Sequence, residues 1–151
     1  MLSNNLSGPL PPELAALSQL RSVFLQENSL SGTILDAWPQ RLEILDLSMN
    51  QLTGDVGGNF PPLLQYLNLG ENRLTGTIDE MIDGLKKTTQ LNILYLQSNQ
   101  FVGTIPSALA DLSSKYASSF YLQDNNLTGK MPDAVCDTKP RWTRIVSNRC
   151  K

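Results

Sequence analysis

One ten-residue segment occurs four times in this chain with few changes, and this repetition constrains the fold more than any other feature. The copies are LQENSLSGTI (25–34), LSMNQLTGDV (47–56), LGENRLTGTI (69–78) and LQSNQFVGTI (96–105). Self-similarity at an interval of this length is the signature of repeat architectures. Each copy is too short to bury its own apolar face, so the copies must stack on one another.

Each copy is anchored on an asparagine, and the other shared positions keep a fixed distance from it. A glycine lies four residues after the anchor, and apolar residues lie three and five before it and two and six after it. The anchors are Asn4, Asn28, Asn50, Asn72, Asn99 and Asn125. Positions are numbered below from this asparagine, so that −1 is the residue immediately before it.

The spacing of these positions predicts the path of one coil. Positions −5 and −3 are two residues apart and therefore face the same side of a short strand. At the end of that strand, the anchor amide can supply both donors and an acceptor to unpaired backbone groups of neighbouring coils. We therefore expect the six anchors to form an asparagine ladder. The glycine permits positive φ where the coil bends again.

The pattern L-x-x-L-x-L-x-x-N-x-L is that of the leucine-rich repeat. The segments NNLSGPLPPELAAL and NQFVGTIPSALADL resemble the plant-type form of this repeat, and the resemblance covers residues 1 to about 135. It implies a leucine-rich-repeat solenoid, a right-handed superhelix with a concave parallel β-sheet, a second short strand in each coil, and short 3₁₀ or α segments on the convex side. The two longer intervals predict convex helices over 79–87 and 106–114.

The two ends of the array differ from its middle. We assign residues 1–135 to six repeats, of which the first is truncated because Met1 already occupies its −3 position, and residues 136–151 to a C-terminal cap. Extracellular members of the family commonly close this end with a disulfide, which implies a Cys136–Cys150 bridge; two reduced, buried thiols are the alternative. The cap also resembles those of microalgal and other protist proteins built from the same repeat. The uncapped first coil is expected to self-associate or to need an upstream segment.

The composition argues against several classes of function. The chain has no histidine, which removes the commonest general base and the commonest metal ligand. Its net charge of −2 is not typical of a nucleic-acid binder, and no apolar run approaches membrane-spanning length. Asp79, Glu80 and Asp83 fall on a predicted convex helix, where a solvated face is favoured over a cation site. We therefore expect no enzyme, cofactor, metal, nucleic-acid partner or membrane insertion.

The outward positions of the concave strands form the variable surface of the molecule. They lie at −7, −6, −4, −2 and −1 and carry several aromatic and acidic residues. Exposed aromatic side chains with a polar rim favour a binding surface, although strands also prefer aromatic residues for packing reasons alone. The predicted ligand-binding set is Phe24, Asp46, Tyr66, Asn68, Tyr95, Gln97, Tyr121 and Gln123.

The resemblance implies non-enzymatic extracellular or cell-surface recognition of a protein or peptide. In this respect the chain resembles plant receptor-like ectodomains and secreted polygalacturonase inhibitors. The alternative is a structural or adhesive repeat protein of the cell surface or cell wall without a discrete ligand. Asn5 and Asn126 begin two N-glycosylation sequons, NLS and NLT, one residue past an anchor, where the side chain is expected to face solvent.

Overall fold

The computed structural model describes residues 4–88, 90–112 and 119–137, which form a solenoid of stacked coils. Each coil from the second onward contributes a three-residue strand to one parallel sheet, and the strands follow one another in chain order. These concave strands are Ser22–Phe24, Ile44–Asp46, Tyr66–Asn68, Ile93–Tyr95 and Ser119–Tyr121. Within the described residues this concave sheet has five strands.

The register of the concave sheet follows the repeat positions. Residues at −5 pair side by side across all five strands and are buried: Val23, Leu45, Leu67, Leu94 and Phe120. Residues at −4 pair in the same way on the opposite face. The alternation seen in the sequence therefore separates an apolar inner face from a polar and aromatic outer face.

A second set of short strands runs beside the first, as the resemblance implied. These strands, here called the second ladder, are Ser7–Pro9, Ser29–Ser31, Thr53–Gly54, Arg73–Leu74, Val102–Thr104 and Asn126–Thr128. The glycine of each coil lies in its strand or within two residues after it, with φ between 79° and 89°. At Gly54 a side chain would also crowd the Thr33 methyl of the preceding coil, 3.0 Å from the Cβ position. Both the backbone and the neighbouring coil therefore require glycine here.

Prolines set the direction of the chain on the convex side. A proline carbonyl accepts a hydrogen bond from the N–H three residues later, at 3.0–3.1 Å, and that residue is apolar; in the last four of the five pairs its side chain is buried in the core. The pairs are Pro11–Leu14, Pro39–Leu42, Pro61–Leu64, Pro106–Leu109 and Pro132–Val135. The second and third coils lack proline directly after their +6 residue, but a later proline makes the same turn.

The longer coils carry helices on the convex side. After a 3₁₀ turn at Pro12–Ala16, the helices are α1 (Ile78–Leu85), α2 (Leu109–Leu112) and α3 (Asp133–Asp137). Helix α1 begins one residue earlier and ends two residues earlier than the predicted 79–87. Helix α2 is shorter than the predicted 106–114 because the Pro106 turn precedes it, and residues 113 and 114 lie outside the described residues.

The core is one apolar cluster between the concave strands and the convex turns and helices. It receives the −5 and −3 residues from the strands and the residues directed inward by the proline turns. In the described ranges, no helix is both long and apolar enough to cross a membrane.

Candidate functional site

The predicted ligand-binding residues lie on the outer face of the concave sheet, but their exposure differs widely. Phe24 is 59% exposed at one end of the sheet, whereas Asp46, its neighbour across the paired strands, is only 8% exposed. Tyr66, Tyr95 and Tyr121 are half-buried. The face is therefore not a uniform exposed surface, since its side chains pack against one another.

Three tyrosines form a continuous row of rings along this face. The Tyr95 and Tyr121 rings stack with centroids 4.4 Å apart and an interplanar angle of 24°. Their residues pair across adjacent strands, whose spacing of about 4.8 Å brings the two rings into contact. Tyr66 extends the row, with its ring centroid 5.8 Å from that of Tyr95 and tilted by 58°. Partial burial and the neighbouring Tyr121 raise the pKa of Tyr95.

A hydrogen-bonded polar network continues from this row toward Phe24. The Asp46 carboxylate accepts hydrogen bonds from the Ser48 hydroxyl at 2.6 Å, the Tyr66 hydroxyl at 3.3 Å and the Asn68 amide at 3.2 Å. The Asn68 amide oxygen in turn accepts from the N–H of Gly70 at 3.1 Å. The expectation that Asp46 faces solvent is wrong, because its own coil and the next one place three donors around its carboxylate and cover it.

The network also changes the chemistry of Tyr66. Partial burial, followed by the nearby negative charge of Asp46, raises the pKa of Tyr66 to about 12, although the hydrogen bond from Asn68 acts in the opposite direction. The phenol is therefore neutral at physiological pH and donates to Asp46. Together these residues give the concave face a fixed polar centre beside an aromatic stack.

The two predicted glutamines lie at −2, next to the tyrosine row. The Gln97 amide lies over the backbone of Gly70, so that any side chain at position 70 would overlap it. In the described part of the chain, the amide oxygens of Gln97 and Gln123 are buried and accept no hydrogen bond. Rotation of either amide would offer this acceptor to a donor on a ligand.

A row of residues at −1 belongs to the same face but was not in the predicted ligand-binding set. All five of its members adopt left-handed φ angles of 55° to 58°: Glu27, Met49, Glu71, Ser98 and Asp124. Glutamate and methionine are uncommon in this conformation, which costs little only for glycine, asparagine and aspartate. The signal available in the sequence was the carboxylate at −1 in every second coil.

The asparagine ladder joins successive coils beneath this face. The Asn50 amide oxygen accepts from the N–H of Leu30 at 3.0 Å, and its amide nitrogen donates to the carbonyls of Leu25 and Leu47 at 2.9 and 3.1 Å. The same arrangement recurs at Asn72, Asn99 and Asn125, and Asn28 accepts from the N–H of Leu6. Each of these anchors thus binds backbone of its own coil and of the preceding one. Asn4 is exposed at the start of the described chain.

The remaining predicted positions lie away from the concave face. Asn5 and Asn126 are exposed. Cys136 lies in α3, whereas Cys150 and most of the 136–151 cap lie outside the described residues, so the bridge stays a prediction. The acidic residues of α1 are exposed, and Asp83 forms an ion pair of 2.6 Å with Lys86.

Comparison with known proteins supports the repeat assignment. The family model of the leucine-rich repeat matches residues 40–101. No curated protein matches the chain. Among solved structures, a plant ice-binding protein is 29% identical with a TM-score of 0.77, and the match covers 87% of this chain and 43% of that protein.

Two receptor complexes from Arabidopsis are also similar. The receptor kinase HAESA, solved with the peptide hormone IDA and the co-receptor SERK1, is 30% identical over 99% of this chain and 26% of the matched chain, with a TM-score of 0.70. The BIR3–SERK2 complex from Arabidopsis thaliana contains a chain that is 34% identical, with a TM-score of 0.68. That match covers 85% of this chain and 67% of the other. Repeat pattern, stacked coils and these similarities together show that the chain belongs to the leucine-rich-repeat family, in its plant-type extracellular form.

Proposed function

We propose that the protein is a non-enzymatic extracellular or cell-surface recognition module that binds a protein or peptide on its concave face. The observation that carries this proposal is the row of three tyrosine rings, with the exposed Phe24 on the same face. Similarity to a receptor solved with a peptide hormone supports the same assignment at the level of the fold.

The chemistry of the row suits a binding surface. Tyrosine supplies a large contact area at low entropic cost and carries a hydroxyl that gives direction to a contact. The rings of Tyr95 and Tyr121 are held by stacking before any ligand arrives, so less conformational freedom is lost on binding. The Asp46 network fixes Tyr66 in the same way.

A displayed library of random nonapeptides, panned against the immobilised protein, tests the proposal. Peptides enriched on the wild-type protein should bind the Tyr95→Ala/Tyr121→Ala variant at least about tenfold more weakly, because truncation of an aromatic anchor costs about 2 kcal/mol or more. The control is Leu63→Ala, which truncates an exposed apolar residue outside the concave columns. If no enriched peptide distinguishes the double variant from the wild type while both remain folded, the concave-face proposal fails.

Features of the two ends belong to the same proposal. A Cys136–Cys150 bridge would suit a secreted protein, and non-reducing mass spectrometry should find the pair two hydrogens lighter and unreactive to alkylation. Asn5 and Asn126 are both exposed, so glycans there would extend into solvent. Asn126 begins a strand of the second ladder, and Asn5 lies just before another. Exposed Leu6 and Leu17 supply apolar surface for self-association through the first coil, which sedimentation over a dilution series would detect.

A second candidate function is ice binding, and the hydroxyl side chains of the second ladder favour it. Serine or threonine occupies position +3 or +5 in every coil: Ser7, Ser31, Thr33, Thr53, Thr75, Thr77, Thr104 and Thr128. Stacked strands repeat these hydroxyls at about 4.8 Å, a regular array that can order water. A structurally similar protein is a plant ice-binding protein.

Inhibition of ice recrystallisation separates this candidate from peptide binding. Thr33→Lys and Thr104→Lys together should abolish any inhibition, because two charged side chains interrupt the hydroxyl array; the fold tolerates lysine at +5, as Lys130 shows. The Tyr95→Ala/Tyr121→Ala variant should retain it. Absence of inhibition by the wild-type protein at high concentration would remove this candidate and leave the concave-face proposal unaffected.

A further inference from the structure

The concave face has a marked excess of negative charge. Its five outward columns in coils two to six contain one cation, Arg21, and five carboxylates: Glu27, Glu43, Asp46, Glu71 and Asp124. Arg21 forms an ion pair with Glu43. The Asp46 carboxylate is covered by its own hydrogen-bond donors. Three carboxylates of the −1 row therefore define the charge that a ligand would meet.

These three carboxylates are regularly spaced. Glu27, Glu71 and Asp124 occupy the second, fourth and sixth coils, at equivalent positions on one edge of the concave sheet. With strands about 4.8 Å apart, successive carboxylates are about 10 Å apart and the whole row spans about 19 Å. Met49, which is 45% exposed, lies between the first two.

We propose that the ligand of this face is a peptide in the polyproline II conformation with a cationic side chain at every third residue, the cations pairing with Glu27, Glu71 and Asp124. This inference rests on the proposed function and specifies the ligand class of the same site. A polyproline II helix has three residues per turn and advances about 3.1 Å per residue, so every third side chain returns to the same side at intervals of about 9 Å and matches the carboxylate row.

The surroundings of the row fit such a ligand. The tyrosine row lies on the same face, so the intervening peptide residues would contact aromatic rings while the cations reach the edge. Lysine and arginine heads are also attracted to the faces of tyrosine rings. All three ion pairs can form at once only when the spacing of the cations matches that of the carboxylates. Matched spacing therefore contributes more than net charge alone.

Two synthetic heptapeptides of equal composition test the spacing. KSGKSGK carries lysine at every third position, whereas KKKSGSG carries the same three lysines together. By fluorescence anisotropy at low ionic strength, we expect KSGKSGK to bind at least about fivefold more tightly, since the clustered lysines reach one carboxylate and not three. Glu71→Gln should weaken KSGKSGK about threefold, a typical loss for one exposed ion pair. Glu80→Gln, the same change in charge on convex helix α1, should have no effect.

The outcomes distinguish this inference from the function on which it rests. Equal affinity for the two heptapeptides, or equal effects of Glu71→Gln and Glu80→Gln, would overturn the proposed pairing of regularly spaced cations with the carboxylate row. If library peptides that depend on Tyr95 and Tyr121 carry no regularly spaced cations, the inference fails and the proposed function stands. If no library peptide depends on the tyrosines but Glu71→Gln still weakens the binding of KSGKSGK, the aromatic part of the proposed function fails.

Discussion

Asp46 shows how a single residue on an exposed sheet face becomes part of a closed polar network. Its carboxylate is bound by donors from its own coil and from the next one, including the hydroxyl of Tyr66. A charged group is tolerated at 8% exposure because its hydrogen bonds replace those it made to water. The same charge makes ionisation of the Tyr66 phenol unfavourable.

The coupling predicts a change in tyrosine titration. Asp46→Asn should lower the pKa of Tyr66 from about 12 toward the ordinary value of 10, because the change removes the negative charge that opposes phenolate formation. The absorbance of phenolate, compared with that of Tyr66→Phe, isolates this group among the four tyrosines. Asp55→Asn, an identical change at an exposed position of another face, is the control. An unchanged titration in Asp46→Asn would mean that the carboxylate does not act on Tyr66.

The raised pKa also has a consequence for stability. The folded pKa of Tyr66 lies above its unfolded value, so its contribution is complete below about pH 10 and is lost as pH rises to about 12. Over that interval, the unfolding free energy of the wild type should therefore fall more steeply than that of Tyr66→Phe.

At the scale of elements, the repeat positions were predictable because each is seen in several copies. The concave strands, the glycines at positive φ and the ladder of anchor asparagines follow from spacing, whereas the second ladder was implied by the resemblance to the plant-type repeat. The left-handed residues at −1 do not, since Glu27, Met49 and Glu71 have no preference for that conformation. The stacking imposes it on them, because the backbone N–H of each donates to a carbonyl of the following coil.

Contacts that occur once could not be predicted from the repeat. The burial of Asp46 depends on which side chains the adjacent coils place beside it. Helix α1 also approaches the preceding coil closely where Gly84 lies against Gly58, two glycines that belong to different coils and to no repeat position. A single sequence contains no second copy from which such pairings can be inferred.

This close approach predicts the effect of one methyl group. At Gly84 a Cβ would overlap the carbonyl group of Gly58, so Gly84→Ala should displace α1 and lower the unfolding free energy by about 1–3 kcal/mol. Alanine is the better helix former by about 1 kcal/mol, which works against this loss. Gly57→Ala, where the nearest atom is 4.0 Å away, should change little in the same denaturant titration. A Gly84→Ala protein as stable as the wild type would show that the two backbones are not in contact.

At the scale of the whole molecule, the fold is a series of coils in which each contacts its neighbours. The stability of such an array is approximately a sum of terms for single coils and for the interfaces between them. The ladder asparagines contribute to the interfaces, since each bonds backbone groups of two coils. The concave face depends on the same stacking, because the tyrosine row and the −1 carboxylates are each assembled from separate coils.

A ladder position in the middle of the array should therefore weaken the entire structure. Asn72 accepts from the N–H of Leu52 at 3.0 Å and donates to the carbonyls of Leu47 and Leu69 at 3.0 and 3.1 Å. Asn72→Ala leaves these buried groups without partners and should cost about 1–3 kcal/mol in the unfolding free energy. Asn126→Ala removes an exposed amide and should cost little. Equal losses in urea titrations of the two variants would mean that interface hydrogen bonds do not hold the coils together. If Asn72→Ala instead splits the unfolding transition into two steps, the coils on either side of Asn72 unfold separately. The tyrosine row spans coils four to six and would then be lost in the step in which those coils unfold.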